Sequence, residues 1–421
     1  SSQPVDLAAS TDEELAALVL HQNDWYVRHA RRLLQERATR RPIAEDAITA
    51  LKDVAVSHAD ATRRLRAMWA LHVTGSSDEA LCKRLLMDGN PYVRSWVIQL
   101  SMELPAEEIS PQLGEQLVVM AREDDSQIVR LYLASAAQRL ALTQSNSLER
   151  RWQLLEALTG HTADADDHNL PLMYWYAAEP LADVDPSRAL TLALSAGESI
   201  PLLREFMLRR IAESDATTSL QTLVAGLGKV EASPVRLAFL QAIRAALKGQ
   251  RQVDAPAGWA RVSATLLQSE DRQVQLQAVA LGVTFGDPAA VTLMRQQVTK
   301  ATAAPKDRLV ALQSLLDAKD AGLVPTQLSL LQADATLRQA AIRGMAQYDD
   351  ARIADVLLAA YPDMTPAERR MALGTLCSRA TSALSLLQAI ASKQIKGTDL
   401  TADLVQRLQF LENDELKSQL E

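Results

Sequence analysis

A short motif recurs along this chain and limits the folds that it can adopt. The motif is a turn rich in Asp, Asn, Ser or Pro, followed by an apolar residue, an arginine and a strongly apolar segment. The clear copies end at Arg28, Arg94, Arg130, Arg236, Arg338 and Arg369, the weaker ones at Arg66, Arg204 and Arg308, and two divergent ones at Met173 and Gln275. These eleven positions lie 28 to 43 residues apart, with a mean near 34. Each interval holds two helices of about 10–14 residues with short turns.

The chemistry of the turns predicts that a helix begins at each one. Asp, Asn and Ser cap helix N-termini, and proline is tolerated at the first helical position, as at Asn90-Pro91 and Ser233-Pro234. Thr11–Glu14 and Thr365–Glu368 have the pattern of a capping box. One helix pair cannot bury its apolar face alone, but stacked pairs can. The prediction is therefore an all-α fold, a right-handed α-solenoid of about eleven helix pairs.

The composition excludes the main alternatives. The chain has 15 Gly and 16 Pro in 421 residues, and aromatic residues make up only 4%. A β-sandwich or barrel needs more β-branched, aromatic and turn residues, and no glycine-rich phosphate loop is present.

The charge balance argues against nucleic acid and anionic membranes as partners. There are 44 basic and 52 acidic residues, giving a net charge of −8, so nucleic acid is an improbable partner on average. The sequence has no apolar run long enough for a membrane span and requires no cofactor. Cys82 and Cys377 lie in apolar helical patterns and are predicted to be buried free thiols.

The Asp-x-x-apolar-Arg turn that opens the second helix of each unit resembles the HEAT repeat. The resemblance implies antiparallel outer and inner helices, with an Asp–Arg ladder along the inner layer. It implies that the ladder arginines are Arg28, Arg94, Arg130, Arg236 and Arg338, and that their acids are Asp24, Asp124 or Asp125, and Asp334. Gln275 and Met173 would interrupt the ladder.

A narrower resemblance rests on Leu18–Arg37, which reads LVLHQNDWYVRHARRLLQER. It is similar to the start of the HEAT region in large exported planctomycete-type proteins. Those combine a sugar-dehydrogenase-like propeller with a Cys-x-x-Cys-His cytochrome domain. The resemblance implies a periplasmic or cell-envelope location and a segment of a larger redox-type protein. Neither cysteine of this chain is followed by Cys-His.

The repeat pattern divides the chain into three parts. Residues 1–160 are expected to form N-terminal repeats rich in Arg, Trp and Tyr, and residues 201–421 form C-terminal repeats rich in Ala, Leu and Gln. Residues 161–200 are expected to form an irregular repeat or a kink.

The first part carries the candidate partner surface. Ten of the thirteen Trp and Tyr residues lie before residue 177, and arginines cluster in two successive repeats. Trp and Tyr are favoured interface anchors, and aligned arginines suit carboxylates or phosphates. The candidates are Trp25, Tyr26, Arg31, Arg32, Arg63, Arg64, Tyr92, Trp96 and Tyr132. The competing interpretations are aromatics that fill the core between repeats and a solvated helix face with ion pairs.

The segment 161–168 is the most metal-like cluster. His161, Asp164, Asp166 and His168 provide imidazole and carboxylate groups of the kind that bind zinc. The segment is polar and lies between helices, so an ordinary structural loop is the favoured interpretation and metal binding the alternative.

These patterns favour a non-catalytic scaffold or spacer whose partner is another protein or the flanking domains of the same polypeptide. No credible nucleophile and base set is present in the sequence. The alternative is a HEAT-like nucleic-acid-binding protein that uses the Arg- and Trp-rich N-terminal half.

Overall fold

A computed structural model describes residues 6–103, 110–214, 217–248, 253–411 and 413–420. In these ranges every regular element is an α-helix or a short 3-10 turn. The chain divides into two compact units, Ser1–Ile211 and Ala212–Glu421.

Thirteen α-helices begin in the described part of the first unit. They are α1 (Asp12–Ala17), α2 (Asp24–Ala38), α3 (Glu45–Ser57), α4 (Ala61–Val73), α5 (Glu79–Leu85), α6 (Pro91–Ser101), α7 (Pro111–Glu123), α8 (Gln127–Arg139), α9 (Ser145–Leu158), α10 (Leu170–Ala178), α11 (Leu181–Val184), α12 (Pro186–Ala196) and α13 (Pro201–Glu213).

Another thirteen α-helices lie in the described part of the second unit. They are α14 (Thr217–Leu227), α15 (Ser233–Ala246), α16 (Trp259–Leu267), α17 (Arg272–Thr284), α18 (Pro288–Thr299), α19 (Pro305–Asp317), α20 (Val324–Ser329), α21 (Ala335–Met345), α22 (Ala351–Ala360), α23 (Pro366–Leu376), α24 (Ala380–Ala391), α25 (Ala402–Phe410) and α26 (Asp414–Leu420).

Each unit consists of two layers of helices. In the first unit, α2, α4, α6, α8 and α10 pack one after another, and we call this row the B layer. Helices α1, α3, α5, α7 and α9 form the A layer beside it. In the second unit the B layer is α15, α17, α19, α21 and α23, and the A layer includes α18, α20, α22 and α24. The fold is an α-solenoid, as the repeats predicted.

The eleven repeat positions explain this layering. Ten of them lie on B-layer helices, and Arg204 lies on α13. In nine of these eleven helices the marked residue is the fourth of the helix. In α6, α17, α21 and α23 the side chain of the N-cap residue accepts a backbone N–H of the first turn. The expected capping boxes are both present, with Thr11 and Thr365 accepting from the backbone N–H of Glu14 and Glu368.

Small and aliphatic side chains fill the space between the layers. Ala30 and Leu34 of α2 are fully buried, as are Leu312 and Leu315 of α19. Alanine lets neighbouring helices approach closely, and leucine fills the remaining gaps. Cys377 is also buried, whereas Cys82 is only half-buried, and both are free thiols.

The segment 161–200 lies inside the first unit, which ends at Ile211. It holds a 3-10 turn at Thr162–Asp164, the helices α10 and α12, and the four-residue helix α11. None of the described helices combines the length and apolar composition that a membrane crossing requires.

Candidate interaction surface

The N-terminus of α2 presents a small group of packed rings. Asn23 caps the helix, and Trp25, on the first turn, is 44% exposed. The Trp25 indole stacks on His29 with ring centroids 4.0 Å apart and meets Tyr26 edge-on at 5.1 Å. Tyr26 in turn packs against His21 at 4.3 Å. The group is held in place locally and offers an exposed aromatic face.

A second row of side chains crosses three B-layer helices. The Arg31 guanidinium of α2 lies over the Trp69 ring of α4, 5.4 Å from its centroid. Trp69 meets Trp96 of α6 edge to face at 5.0 Å. Burial lowers the pKa of Arg31, and the charge of nearby Arg28 lowers it further. In the part of the chain that the structure describes, neither arginine has an acidic partner within ion-pair distance.

A groove of about 540 Å³ opens on the B layer between α6, α8 and α10. Its lining combines apolar and aromatic groups with a few amides and a hydroxyl. It is lined by Gln99, Leu131, Tyr132, Ser135, Asn169, Leu172, Met173 and Tyr176. Tyr176 is 54% exposed, and Met173 provides a flexible, polarizable side chain. Such a lining suits an apolar segment of a partner with a few polar groups.

Three of the four candidate arginines, Arg32, Arg63 and Arg64, form hydrogen bonds or ion pairs with other residues of the chain. Arg32 forms an exposed 3.3 Å pair with Glu36, and Arg63 Nη1 donates to the His21 carbonyl at 2.9 Å. Arg64 belongs to the ladder described next. Of the four candidate arginines, Arg31 alone makes neither a hydrogen bond nor an ion pair with the described residues. The expectation that all four arginines face a partner stays a prediction.

Three ladder arginines make the same set of contacts. Each is the fourth residue of its B-layer helix, and its Nε and Nη2 donate to both carboxylate oxygens of an aspartate in the next repeat. The pairs are Arg64–Asp88 at 2.8 and 2.9 Å, Arg94–Asp124 at 2.8 and 2.8 Å, and Arg130–Asp164 at 2.6 and 2.5 Å. The Nη1 group donates to the carbonyl six residues earlier, at His58, Asp88 and Asp124 respectively. Asp88 and Asp124 therefore each link two arginines.

The ladder acids differ from several that the HEAT resemblance implied. Asp24 pairs with Arg66 instead of Arg28, which is exposed and forms no ion pair among the described residues. Asp124, and not Asp125, is the partner of an arginine. The acid comes from the following repeat because its N-terminal turn lies beside the arginine.

The second unit keeps only part of the ladder. Asp334 caps α21, and Arg338 instead donates to Glu368 of the next repeat at 2.6 Å. Arg236 donates to the Val230 carbonyl at 2.7 Å and Gln275 to the Ser269 carbonyl at 2.7 Å, and neither bonds to a carboxylate among the described residues.

The segment 161–168 contributes to the ladder instead of assembling a metal site. Asp164 is fully buried and accepts from Arg130 and from the Tyr174 hydroxyl at 2.7 Å. Burial alone would raise the pKa of Asp164, but these hydrogen bonds outweigh it and lower the pKa. His161 Nε2 donates to the Ala121 carbonyl at 2.8 Å, while Asp166 and His168 are exposed. Among the described residues no group of three or more His, Cys, Asp or Glu side chains could hold a metal ion.

The remaining aromatic candidates are divided between packing and exposure. Tyr92 is 55% exposed on the first turn of α6, and Trp96 is half-buried against Trp69. Tyr132 lines the α6–α8–α10 groove. Sequence analysis did not single out Met173 or Tyr176 as partner residues. The sequence signal for Met173 is the missing ladder arginine at this position, because a residue that makes no ladder contact can line the groove.

Neither a protein-family model nor a curated protein sequence matches this chain. Solved structures of similar fold are those of Kap121p bound to Pho4p, of the karyopherin Kap121p bound to the SUMO protease Ulp1p, and of Kap121p bound to RanGTP. Their TM-scores are 0.59, 0.58 and 0.55, at 12%, 12% and 13% sequence identity. The alignments cover 97% of this chain and 48%, 52% and 52% of those chains, so this chain spans about half their length. The likeness supports the α-solenoid fold.

Proposed function

We propose that this chain is a non-catalytic protein-interaction scaffold that binds a partner protein on the B layer of its first unit. The observation that carries the proposal is the α6–α8–α10 groove, with Tyr132, Met173 and Tyr176 in its lining. Aromatic side chains supply large contact areas at low cost in conformational entropy, which favours them as interface anchors. Kap121p, whose fold is similar, has been solved bound to Pho4p and to the SUMO protease Ulp1p, which is consistent with such a use of this fold.

The surroundings of the groove support a partner that is apolar with an acidic part. Arg28 and Arg31 of α2 form no ion pair among the described residues, and Arg31 lies over Trp69, which packs against Trp96 of α6. A carboxylate of the partner could pair with these guanidinium groups while its apolar residues occupy the groove.

The proposal is tested by selecting displayed peptides against the full chain and measuring the affinity of the enriched peptides. Truncating Tyr132 and Tyr176 together to alanine is expected to weaken binding by about tenfold to hundredfold, as for anchor residues that contribute about 1.5–3 kcal/mol. Leu293→Ala is the matched control, since Leu293 is an exposed apolar residue of α18 in the other unit. Enriched peptides that bind the double variant and the control equally well would refute the proposed docking surface.

The resemblance of Leu18–Arg37 leads to a separate proposal about where the scaffold works and which domains flank it. We propose that the scaffold operates next to redox domains of one exported polypeptide in the periplasm or cell envelope. Sequencing the complete reading frame tests this directly. A propeller-coding region upstream and a Cys-x-x-Cys-His motif downstream would support it, and flanking domains of other classes would overturn it.

A further inference from the structure

Arg244, in the last turn of α15, forms no ion pair with a carboxylate among the described residues. It is half-buried, and its guanidinium donates to the Gln277 side-chain oxygen of α17 and to Ser314 Oγ of α19 at 3.2 Å. Both partners are neutral. Asp317 is the acid that contributes to its electrostatic surroundings, but it forms no ion pair with Arg244 and accepts instead from Gln313 at 2.7 Å. Burial lowers the pKa of Arg244, although a guanidinium stays protonated in proteins.

Two other arrangements are found among the arginines of the chain. Arg295 and Arg338, in the same unit, each pair with a carboxylate. Arg151, in the first unit, lacks a carboxylate but is completely enclosed and donates to the carbonyls of Gln138, Leu140 and Ala177. Arg151 therefore has a structural role, because these carbonyls lie at or near helix C-termini. Arg244 instead reaches a surface groove.

That groove has a volume of about 460 Å³ and lies between α15, α19 and α21. Leu309, Val310, Leu316 and Ala340 give it an apolar floor. The polar groups around it are Arg244, Gln313, Arg343 and Gln347. Arg343 is exposed and, among the described residues, its side chain makes no hydrogen bond or ion pair. Two guanidinium groups therefore border one groove with no acid paired to either.

Gly344 contributes to the shape of the groove. A Cβ at this position would lie 2.6 Å from Leu316 Cδ2 and 2.8 Å from Gln327 Nε2, both closer than real contacts allow. The absence of a side chain lets α21 approach α19 and keeps Arg343 close to the apolar floor.

We propose that this groove binds an acidic peptide segment of a protein partner, with a carboxylate against Arg244 and Arg343 and an adjacent apolar side chain on the Leu309–Val310 floor. Planar guanidinium groups match carboxylates, and the amides of Gln313 and Gln347 can both donate to and accept from a peptide backbone. A free phosphate would satisfy the arginines but would leave the apolar floor and both amides unused. The site is separate from the groove of the first unit and does not depend on the function proposed for it.

The experiment measures fluorescence anisotropy with the full chain and a fluorescein-labelled heptapeptide of alternating Leu and Glu. A Leu–Gln analogue, a Leu–phosphoserine analogue and inorganic phosphate as competitor serve as the other probes. The Glu peptide is expected to bind saturably, and the Gln analogue about tenfold or more weakly, because charged hydrogen bonds are stronger than neutral ones. Binding is also expected to weaken with added salt.

Arg343→Gln is the principal variant, because this exposed side chain supports no contact that folding requires. It is expected to weaken the Glu peptide by about tenfold or more, with the helical circular dichroism unchanged. Arg244→Gln should do the same, and Arg370→Gln is the control, since Arg370 is exposed on α23 and does not line the groove.

Four results would each overturn the proposal: no saturable binding of the Glu peptide, equal affinity for the Gln analogue, unchanged affinity in folded Arg343→Gln, or binding of phosphate probes alone. The last result would make the groove a phosphate site instead of a peptide site.

Discussion

At the scale of single residues, burial sets the reactivity of the two cysteines. Cys377 is fully buried, and burial raises the pKa of its thiol to about 11. Only the thiolate reacts with disulfide reagents, so a raised pKa leaves very little reactive Cys377 near pH 8. Cys82 is half-buried near the Ser77 hydroxyl, at 3.6 Å.

We predict that Cys377 of the folded protein reacts at least about a hundredfold more slowly with Ellman's reagent than it does after unfolding. The Cys82→Ser variant isolates Cys377 for this measurement, and its rate in the folded state should rise with pH up to about 11. Equal rates for Cys377 in the folded and unfolded protein would contradict the structure.

Asp12 shows how a buried carboxylate responds to pH. Arg41 donates to both of its oxygens, at 2.7 and 2.9 Å, and Arg37 donates at 2.8 Å. The Arg41 bonds, opposed by burial and assisted by Arg37, hold the pKa of Asp12 well below its ordinary value of 3.8. A lowered pKa contributes stability that is complete above the unfolded value and is lost as the pH falls through the folded one.

We predict that Asp12→Asn lowers the free energy of unfolding by about 1.5–3 kcal/mol at pH 7. The difference from the unmodified protein should shrink below about pH 4, where Asp12 itself begins to be protonated in the unfolded state. Urea midpoints at pH 7, 5 and 3 measure this, with exposed Glu13→Gln on the same helix as the control. A difference that stays constant with pH would show that the charge of Asp12 is not responsible.

At the scale of helices, the ladder connects successive repeats through shared residues. Asp124 accepts from Arg94 through its carboxylate and from Arg130 through its carbonyl. Arg130 then pairs with Asp164, which also accepts from Tyr174 of α10. Since Arg130 and Asp164 are almost completely buried, this pair is the part of the ladder with the least screening by water.

We predict that Arg130→Met and Asp164→Asn each lower the free energy of unfolding by about 3–5 kcal/mol, because each leaves a buried charge unpaired. The double variant should lose less than the sum, by about 0.5–3 kcal/mol of coupling. The exposed Arg32–Glu36 pair is the control and should show a coupling below about 0.5 kcal/mol. Additive effects at Arg130 and Asp164 would mean that the pair is not coupled.

The helices were predictable from sequence because their starts are determined locally. A cap such as Asn90 with Pro91 after it fixes where α6 begins, and the apolar spacing shows which side is buried. The ladder pairs were less predictable, because Asp124 lies 30 residues after Arg94 and meets it only when the repeats stack. The HEAT resemblance instead implied acids in the same turn as their arginines, such as Asp24 for Arg28.

The candidate site was predictable in part for the same reason. Trp96 and Tyr132 stand out in the sequence, and the structure places Tyr132 in a groove. Whether an arginine faces a partner or the next repeat depends on its exact position after the cap. In the run Arg63–Arg66, Asp60 caps α4 and makes Arg64 the fourth residue, so Arg64 joins the ladder. The Arg244 groove combines three helices across a hundred residues and leaves no local signature.

At the scale of the whole molecule, charge argues against a nucleic-acid partner. The net charge is −8, and three of the four candidate arginines of the first unit already bond to other residues of that unit. Affinity for nucleic acid depends on neutralising several phosphates at once.

We predict no gel shift of a DNA duplex by low micromolar protein at about 50 mM salt. A salt-dependent shift that Arg28→Glu and Arg31→Glu abolish would contradict this.

The division of the chain at Ile211 and Ala212 gives a prediction about folding. Each unit has its own buried side chains, with Trp152 and Tyr174 fully enclosed in the first and Phe239 in the second. In repeat proteins each helix pair is stabilised mainly by its neighbours, so a cut between compact units is tolerated better than one within a unit.

We predict that fragments 1–211 and 212–421 each show helical circular dichroism and a cooperative urea transition when produced separately. A cut between residues 140 and 141 is the control, because it lies within the first unit and separates Arg130 from Asp164 and α8 from α9 and α10. Fragment 1–140 should unfold at a lower urea concentration than 1–211 or aggregate, since its last helices lose the neighbours that bury their apolar faces. If 1–140 were as stable as 1–211, the Arg130–Asp164 pair and the helices after α8 would contribute nothing to the stability of the first unit. The cooperative folding unit would then be shorter than Ser1–Ile211.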